Sequence, residues 1–278
     1  MTEGSTANPG LLVLEPRPAS RRVWAADVWA HREVFAMLAQ KDFQTRYKRA
    51  SLGVLWAVAV PVLQGVVLAV VFSKIVRFGG AEGFGAYVFG GVLAFSYFSG
   101  TMAAGVTSIV DGAGLTDKVW FPRVLLVLVP GVANLVGLCV SMVVLIVALP
   151  FLGVTIGPRI MLLVPATALL VGFTIALSMV VSALHVYFRD VKFLVQAALL
   201  MWLYVTPILY PKELLGGLAP WIDLNPLTGI VTLIHMATLG GDEAWVRPVV
   251  VSIVATVALA LAGVEGQRRH DRLFVDYL

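Results

Sequence analysis

Six long stretches of this 278-residue chain contain no Asp, Glu, Lys or Arg: 50–73, 83–110, 124–158, 160–188, 193–211 and 248–264. A helix needs about 20 apolar residues, with a range of roughly 17–25, to cross the hydrocarbon core of a bilayer. Each stretch is long enough for one crossing. The longest ends in Pro150, Gly153, Gly157 and Pro158, so its last part reads as a loop and not as a second crossing. Lipid offers the backbone no hydrogen bonds, which leaves helices or a closed barrel as the only spanning structures. Barrel strands alternate in segments of about 10 residues; these runs are longer and apolar all round. The expected fold is all-α, a polytopic membrane protein with six transmembrane helices.

The charges that remain are unevenly placed. An even number of spans puts both termini on one side. That side receives Arg17, Arg21, Arg22, Arg32, Lys41, Arg46, Lys48, Arg49, Lys118, Arg123, Arg189, Lys192, Arg268, Arg269 and Arg272. The other side receives Lys74, Arg77, Arg159, Lys212 and Arg247. Fifteen against five predicts cytoplasmic termini. The net charge of +4 is then mostly a topology signal, and nothing supplies the basic face on a soluble fold that nucleic-acid binding needs.

Residues 1–20 read as a flexible N-terminus without the apolar core of a cleaved signal peptide, so the first span is expected to direct insertion. Residues 21–265 read as a single transmembrane domain, and 266–278 as a cytoplasmic tail. Between Arg21 and Asp42, Trp24, Val28, Phe35 and Leu38 fall on one side of a helix, with Arg32, Glu33 and Gln40 on another. This amphipathic helix is expected at the membrane interface, or alternatively packed on the rest of the protein. Pro61 inside the first span predicts a kink there. The last outer segment, 211–247, holds an apolar piece, Leu224–Leu239, broken at Asn225-Pro226. It is short for a crossing and reads as short re-entrant helices.

Chemistry is scarce. No ionisable side chain sits at the middle of any of the six spans, which argues against a proton- or ion-coupled transporter. No Gly-Lys pair occurs, so the phosphate-cradling G-x-x-x-x-G-K-[ST] loop is absent. The four His residues (31, 185, 235, 270) are scattered and form no metal cluster. A chain like this is expected to be no enzyme, without catalytic residues, metal or cofactor of its own. If it moves something uphill, a partner supplies the energy. Both inner loops are short and mix opposite charges with aromatics: Asp117, Lys118 and Trp120 in one, Tyr187, Arg189 and Asp190 in the other. Each alone reads as a solvated turn; together they can form a docking surface. Phe95, Tyr97, Trp202 and Tyr204 lie nearer span interiors and can face lipid, core or a conduit, since aromatic faces with a polar tip stack on sugars as well as lipid.

Several motifs then point to a family. The run KDFQTRYKRASLGVLW (41–56), followed by Pro61, resembles the "RDLKxRYKxSxLGxLWxxxxPL" start of ABC-2 type permeases that export lipid-linked polysaccharides such as O-antigen and teichoic acid. KVWFPR (118–123) resembles that family's "KVYFPR", and HVYFRD (185–190) its "HxFFRD". WLYVTPILYP (202–211) and LNPLT (224–228) resemble "WFYxTPIIYP" and "LNPLT". The departures are mild: Lys41 for Arg, Trp120 for Tyr, Tyr187 for Phe.

The resemblance implies a half-transporter: a homodimer of this chain on two copies of a cytoplasmic ABC ATPase subunit, which binds ATP and Mg. It places ATPase contacts on Trp24–Gln40 and Gly112–Trp120, so that Asp117, Lys118, Trp120, Arg189 and Asp190 are the coupling residues. It places a lateral gate for a polyprenyl-pyrophosphate-linked glycan between spans one and five, at Arg46, Lys48, Trp56, Tyr204 and Thr206. A basic cluster there suits a pyrophosphate, although topology alone also accounts for it. Phe95, Tyr97 and Trp202 are the candidate glycan path. The Ala/Val/Gly/Arg-heavy usage and the closeness of the motifs point within the family to actinobacterial galactan exporters. An ABC-2 drug or small-lipid exporter is the alternative, and a membrane-embedded enzyme or scaffold of envelope synthesis a third.

Overall fold

A computed structural model describes residues 20–47, 53, 55–71, 83–116, 119–240 and 244–271. Among these, every regular element is helical. The N-terminal pair is α1 (Arg21–Ala30) and α2 (Arg32–Tyr47); α3 (Leu55–Val70) and α4 (Phe84–Asp111) follow. Short α5 (Ala113–Thr116) leads to α6 (Val124–Ala148), α7 (Leu163–Tyr187) and α8 (Val191–Val205). The chain closes with α9 (Ala219–Ile222), α10 (Pro226–Leu239) and α11 (Val246–His270).

Each charge-free stretch holds one helix: α3, α4, α6, α7, α8 or α11. Of these, α4, α6, α7 and α11 are long and apolar enough to cross a membrane. The 16 residues of α3 and 15 of α8 reach only about 24 Å and 22 Å at 1.5 Å per residue, short of a core of about 30 Å. Residues 48–52, 54 and 72–82, on either side of α3, lie outside the described set. Pro61 does sit inside α3. Helix α8 stops at Thr206-Pro207, because proline disfavours helical geometry in the residue before it. The expected loop after α6 is present as two 3-10 turns, Pro150–Leu152 and Pro158–Leu162.

The last outer segment folds back on itself. Leu214–Ile222 and Pro226–Leu239 meet at 118°, and count as a fifth crossing if taken as one bent span. Asn225 caps α10 through its side chain and Pro226 occupies the first turn, where no intrahelical N–H is needed. Every residue from Leu227 to His235 is buried. The apolar piece is thus a helix inserted among α4, α7 and α11.

Helix α4 is the centre, packed by α3, α6, α7, α8 and α10, while α7 and α11 form the most extensive pair. In lipid, apolar burial adds little to helix association, so close approach at small residues matters more. A Cβ on Gly91 would sit 2.9 Å from Ile208 Cγ2, and one on Gly229 would sit 2.2 Å from the Pro248 carbonyl oxygen. Gly90 is also a packing position, with Ile234 Cγ2 at 3.1 Å from such a Cβ. Gly100, from the same sequence run, differs: nothing lies within 4 Å.

The two bundle ends differ in charge. Arg21, Arg123, Arg189, Lys192, Arg268 and Arg269 share one end with both short loops, which we call the basic end. Trp24, Val28, Phe35 and Leu38, expected on one face, all pack there, against clusters built on Val124, Val186, Phe121 and Leu125. Trp29 points away and is 71% exposed. Two polar ties fasten this end. Arg21 pairs with Glu265 at 3.2 Å, and Arg123 with Asp271 at 3.7 Å. The backbone N–H of Arg123 also donates to Asp271 Oδ1 at 3.1 Å. Helix α11 runs on to His270, and buried Gln267 donates to the Met179 carbonyl at 2.9 Å. Residues 266–270, read from sequence as the start of a tail, are therefore the last turn of α11. Asp271→Ala is expected to cost roughly 2 kcal/mol, seen as a lower melting temperature of the purified protein.

Candidate functional site

Of the gate residues expected from the resemblance, the described side chains, Trp56, Tyr204 and Thr206, do not lie together within one chain. Arg46 lies in the last turn of α2, but its side chain and all of Lys48 are outside the described residues. Trp56 and Tyr204 are exposed, at 40% and 60%. Gly65 of α3 abuts Phe89 near the start of α4. Trp56 precedes Gly65 by nine residues, about 13 Å of helix, toward the basic end. Tyr204 sits at the other end, where α8 stops. Thr206 is fully buried and accounts for itself in hydrogen bonds: its hydroxyl donates to the Trp202 carbonyl at 2.8 Å and accepts from Asn225 Nδ2 at 2.9 Å. It has no surface to offer a ligand.

That end of α8 is a polar knot. The Asn225 side-chain oxygen accepts from Trp202 Nε1 at 2.9 Å and from the Leu227 N–H at 3.1 Å. Tyr87 Oη lies 2.9 Å from the Pro207 carbonyl and 3.1 Å from that of Tyr210. Tyr210 Oη donates to the Tyr204 carbonyl at 2.8 Å. A helix C-terminus leaves its last carbonyls without partners, and these side chains supply them. His235 of α10 stacks on the Tyr87 ring at 3.5 Å, its Nε2 3.1 Å from the Tyr87 carbonyl.

Of the three candidate path aromatics, two are held in packing. Phe95 is buried beside Phe98 at 5.8 Å. The Trp202 ring meets Phe98 and Phe173 edge-on at 5.2 and 6.4 Å, with one flank on an apolar groove of about 360 Å³. Tyr97 differs. It lines a cavity of about 280 Å³ between α3, α4 and α6, together with Gln64, Ser96, Ser99, Asn134 and Ser141.

Of the expected coupling residues, Trp120, Arg189 and Asp190 are described, and all three are exposed on short connections at the basic end. Trp120 is 58% exposed. It meets His31, the break between α1 and α2, edge-on at 5.8 Å. His31 is held in turn by the Asp27 carbonyl, 2.8 Å from Nδ1. Arg189 and Asp190 are exposed in the α7–α8 connection, flanked by exposed Phe188 and Phe193. Asp117 and Lys118 lie outside the described residues. The N-terminal helices and a predicted docking loop thus touch, through this ring pair and through the Phe121 cluster.

Residues 33–237 match the profile of the ABC-2 type transporter family. The chain belongs to that family. This ABC-2 protein is also similar to the O-antigen export system permease protein RfbA of Myxococcus xanthus, 28% identical over 213 residues, or 74% of this chain and 80% of the relative. Two relatives of the same description from Klebsiella pneumoniae are 26% and 24% identical, over 72% of this chain and 77% of each relative.

The sequence reading missed several of the polar residues that mark the site in this ABC-2 protein. Gln64 and Asn134 are the only amides in stretches 50–73 and 124–158, and a polar group is costly in a span; that signal was there to read. His235 escaped because it lies outside the six spans, in an inserted helix. Asn225 was read as a helix breaker and as part of the LNPLT motif, not as a hydrogen-bonding hub.

Proposed function

We propose that this chain is the permease subunit of an ATP-driven exporter that carries a polyprenyl-pyrophosphate-linked polysaccharide across the bacterial plasma membrane. The observation that carries this reading is the family match over 33–237 joined to relatives described throughout as O-antigen export permeases. Galactan is the sugar that the motif resemblance favours. Two copies of the chain pair, and two ATPase subunits, holding ATP and Mg, dock at the basic end around Trp120, His31 and the α7–α8 connection. Asp117 and Lys118 belong to the same contact. Both termini face the cytoplasm, which puts Arg46 and Lys48 where a lipid pyrophosphate arrives; guanidinium and ammonium groups pair well with phosphate oxygens. Because Trp56 and Tyr204 lie apart in one chain, a gate between α3 and α8 is completed across the dimer.

Deleting the gene tests the cargo: envelope glycan precursors linked to polyprenyl pyrophosphate accumulate inside the cell. Altered drug sensitivity with normal precursor levels would instead favour a drug or small-lipid exporter. Trp120→Ala tests the coupling. The expected result is an intact permease whose ATPase subunit still co-purifies weakly or not at all, with transport reduced roughly tenfold or more, equivalent to about 1.4 kcal/mol. Unchanged co-purification and transport would remove Trp120 from the contact.

A further inference from the structure

A side-chain amide in a membrane span needs a partner, because hydrocarbon provides none. Gln64 and Asn134 both line the α3–α4–α6 cavity. Asn134 donates to Thr101 Oγ1 at 2.9 Å, and Tyr97 Oη donates to the Gly131 carbonyl at 3.1 Å. Ser141 is only 3% exposed. Among the described residues, neither buried Ser141 nor Gln64, which lines the cavity from an exposed position, has a hydrogen-bond partner for its side chain. The cavity therefore holds unspent hydrogen-bonding capacity at the level of the spans.

The chemistry of the lining selects a ligand. No charged side chain contributes to it, so an ion or a pyrophosphate would find no counter-charge there. Serine and tyrosine hydroxyls and carboxamides both donate and accept, which complements hydroxyl groups. The Tyr97 ring adds an apolar face with a polar tip. Gly100 also lines the cavity, and its missing side chain keeps the space open. At about 280 Å³ the volume lies just below the usual range for drug-sized ligands, which suits a small group. We infer that this cavity binds an uncharged, hydroxyl-rich group, a sugar residue of the cargo. The inference rests on the export reading above and adds a place in the chain to it. Water is the competing occupant, since polar cavities of this size hold it.

The test uses the permease with its ATPase subunit in membrane vesicles. Cys139, which is exposed, is replaced by serine and Gly100→Cys is introduced. Alkylation of the new thiol by N-ethylmaleimide is timed with lipid-linked glycan, with polyprenyl pyrophosphate lacking sugars, and with neither. The glycan conjugate slows alkylation roughly tenfold, and the sugarless lipid leaves it unchanged. No slowing by the conjugate means water only, and equal slowing by both lipids means a lipid site; either overturns the inference. Gly100→Leu starts from a Cβ with nothing within 4 Å and is expected to keep the melting temperature while cutting glycan transport roughly tenfold. Full transport by Gly100→Leu overturns the inference as well. The labelling needs binding alone, so it decides the cavity even where transport of the wild-type complex fails and the export reading falls.

Discussion

Gly229→Leu is expected to leave little or no folded permease, and Gly229→Ala to destabilise it by about 3 kcal/mol or more. The cause is the crossing of α10 over α11. An added Cβ would lie 2.2 Å from the Pro248 carbonyl oxygen and 2.4 Å from its carbon. Backbone atoms cannot rotate aside as a side chain can. The same contact holds a hydrogen bond across it, from Ser252 Oγ to the Pro226 carbonyl at 2.5 Å, which separation of the helices would break. Gly100→Ala is the matched control, since its Cβ meets nothing within 4 Å. It is expected to be neutral or slightly stabilising, because alanine is the better helix former. Thermal unfolding of the detergent-purified proteins distinguishes the two. Equal melting temperatures for Gly229→Ala and wild type would mean that α10 does not lie against α11 as described.

Asn225→Leu has the second largest expected effect. One side chain links Trp202 and Thr206, a turn apart on α8, to the first turn of α10. Leucine removes all three contacts and leaves the Trp202 and Leu227 N–H groups without their acceptor. Each unpaired buried group costs about 1–3 kcal/mol, so a total loss of roughly 3 kcal/mol is expected. Asn225→Asp keeps an acceptor for both N–H groups and, as a carboxylate, loses the donation to Thr206, so it should be milder than leucine and still below wild type. A leucine variant as stable as the aspartate variant would show that the knot is not what holds the end of α8. Because Tyr204 belongs to that end, the leucine variant should also report on the proposed gate.

How much of this was legible in the sequence depended on what each residue must do alone. Charge-free runs give helices because lipid permits little else, and each of the six runs holds one. The amphipathic face of Trp24, Val28, Phe35 and Leu38 was readable because a 3.6-residue period is local information. The length of α8 was not, since the Thr206-Pro207 stop reads equally well as a loop after a full crossing. Nor was the burial of α10: an apolar helix inserted among α4, α7 and α11 and one lying at the interface have the same composition. Thr206 looked available because its partner, Asn225, lies 19 residues away, and no spacing rule joins them. Tyr97 and Phe95 are two residues apart on α4, hence on different faces. Only packing shows that one faces a cavity and the other the core.

The central claim is that this chain is half of a machine whose motor lies in another subunit and whose cargo is a glycan on a lipid. Reconstitution addresses it most directly. Vesicles containing the permease and its ATPase subunit are given labelled polyprenyl-pyrophosphate-linked glycan on the ATPase side, and the label reaching the far leaflet is measured with and without ATP and Mg. The account predicts ATP-dependent transfer that is lost when the permease is omitted. It also predicts transfer that falls when Arg46 and Lys48 are both replaced by glutamine. ATP hydrolysis by a correctly assembled complex with no movement of glycan to the far leaflet would contradict it.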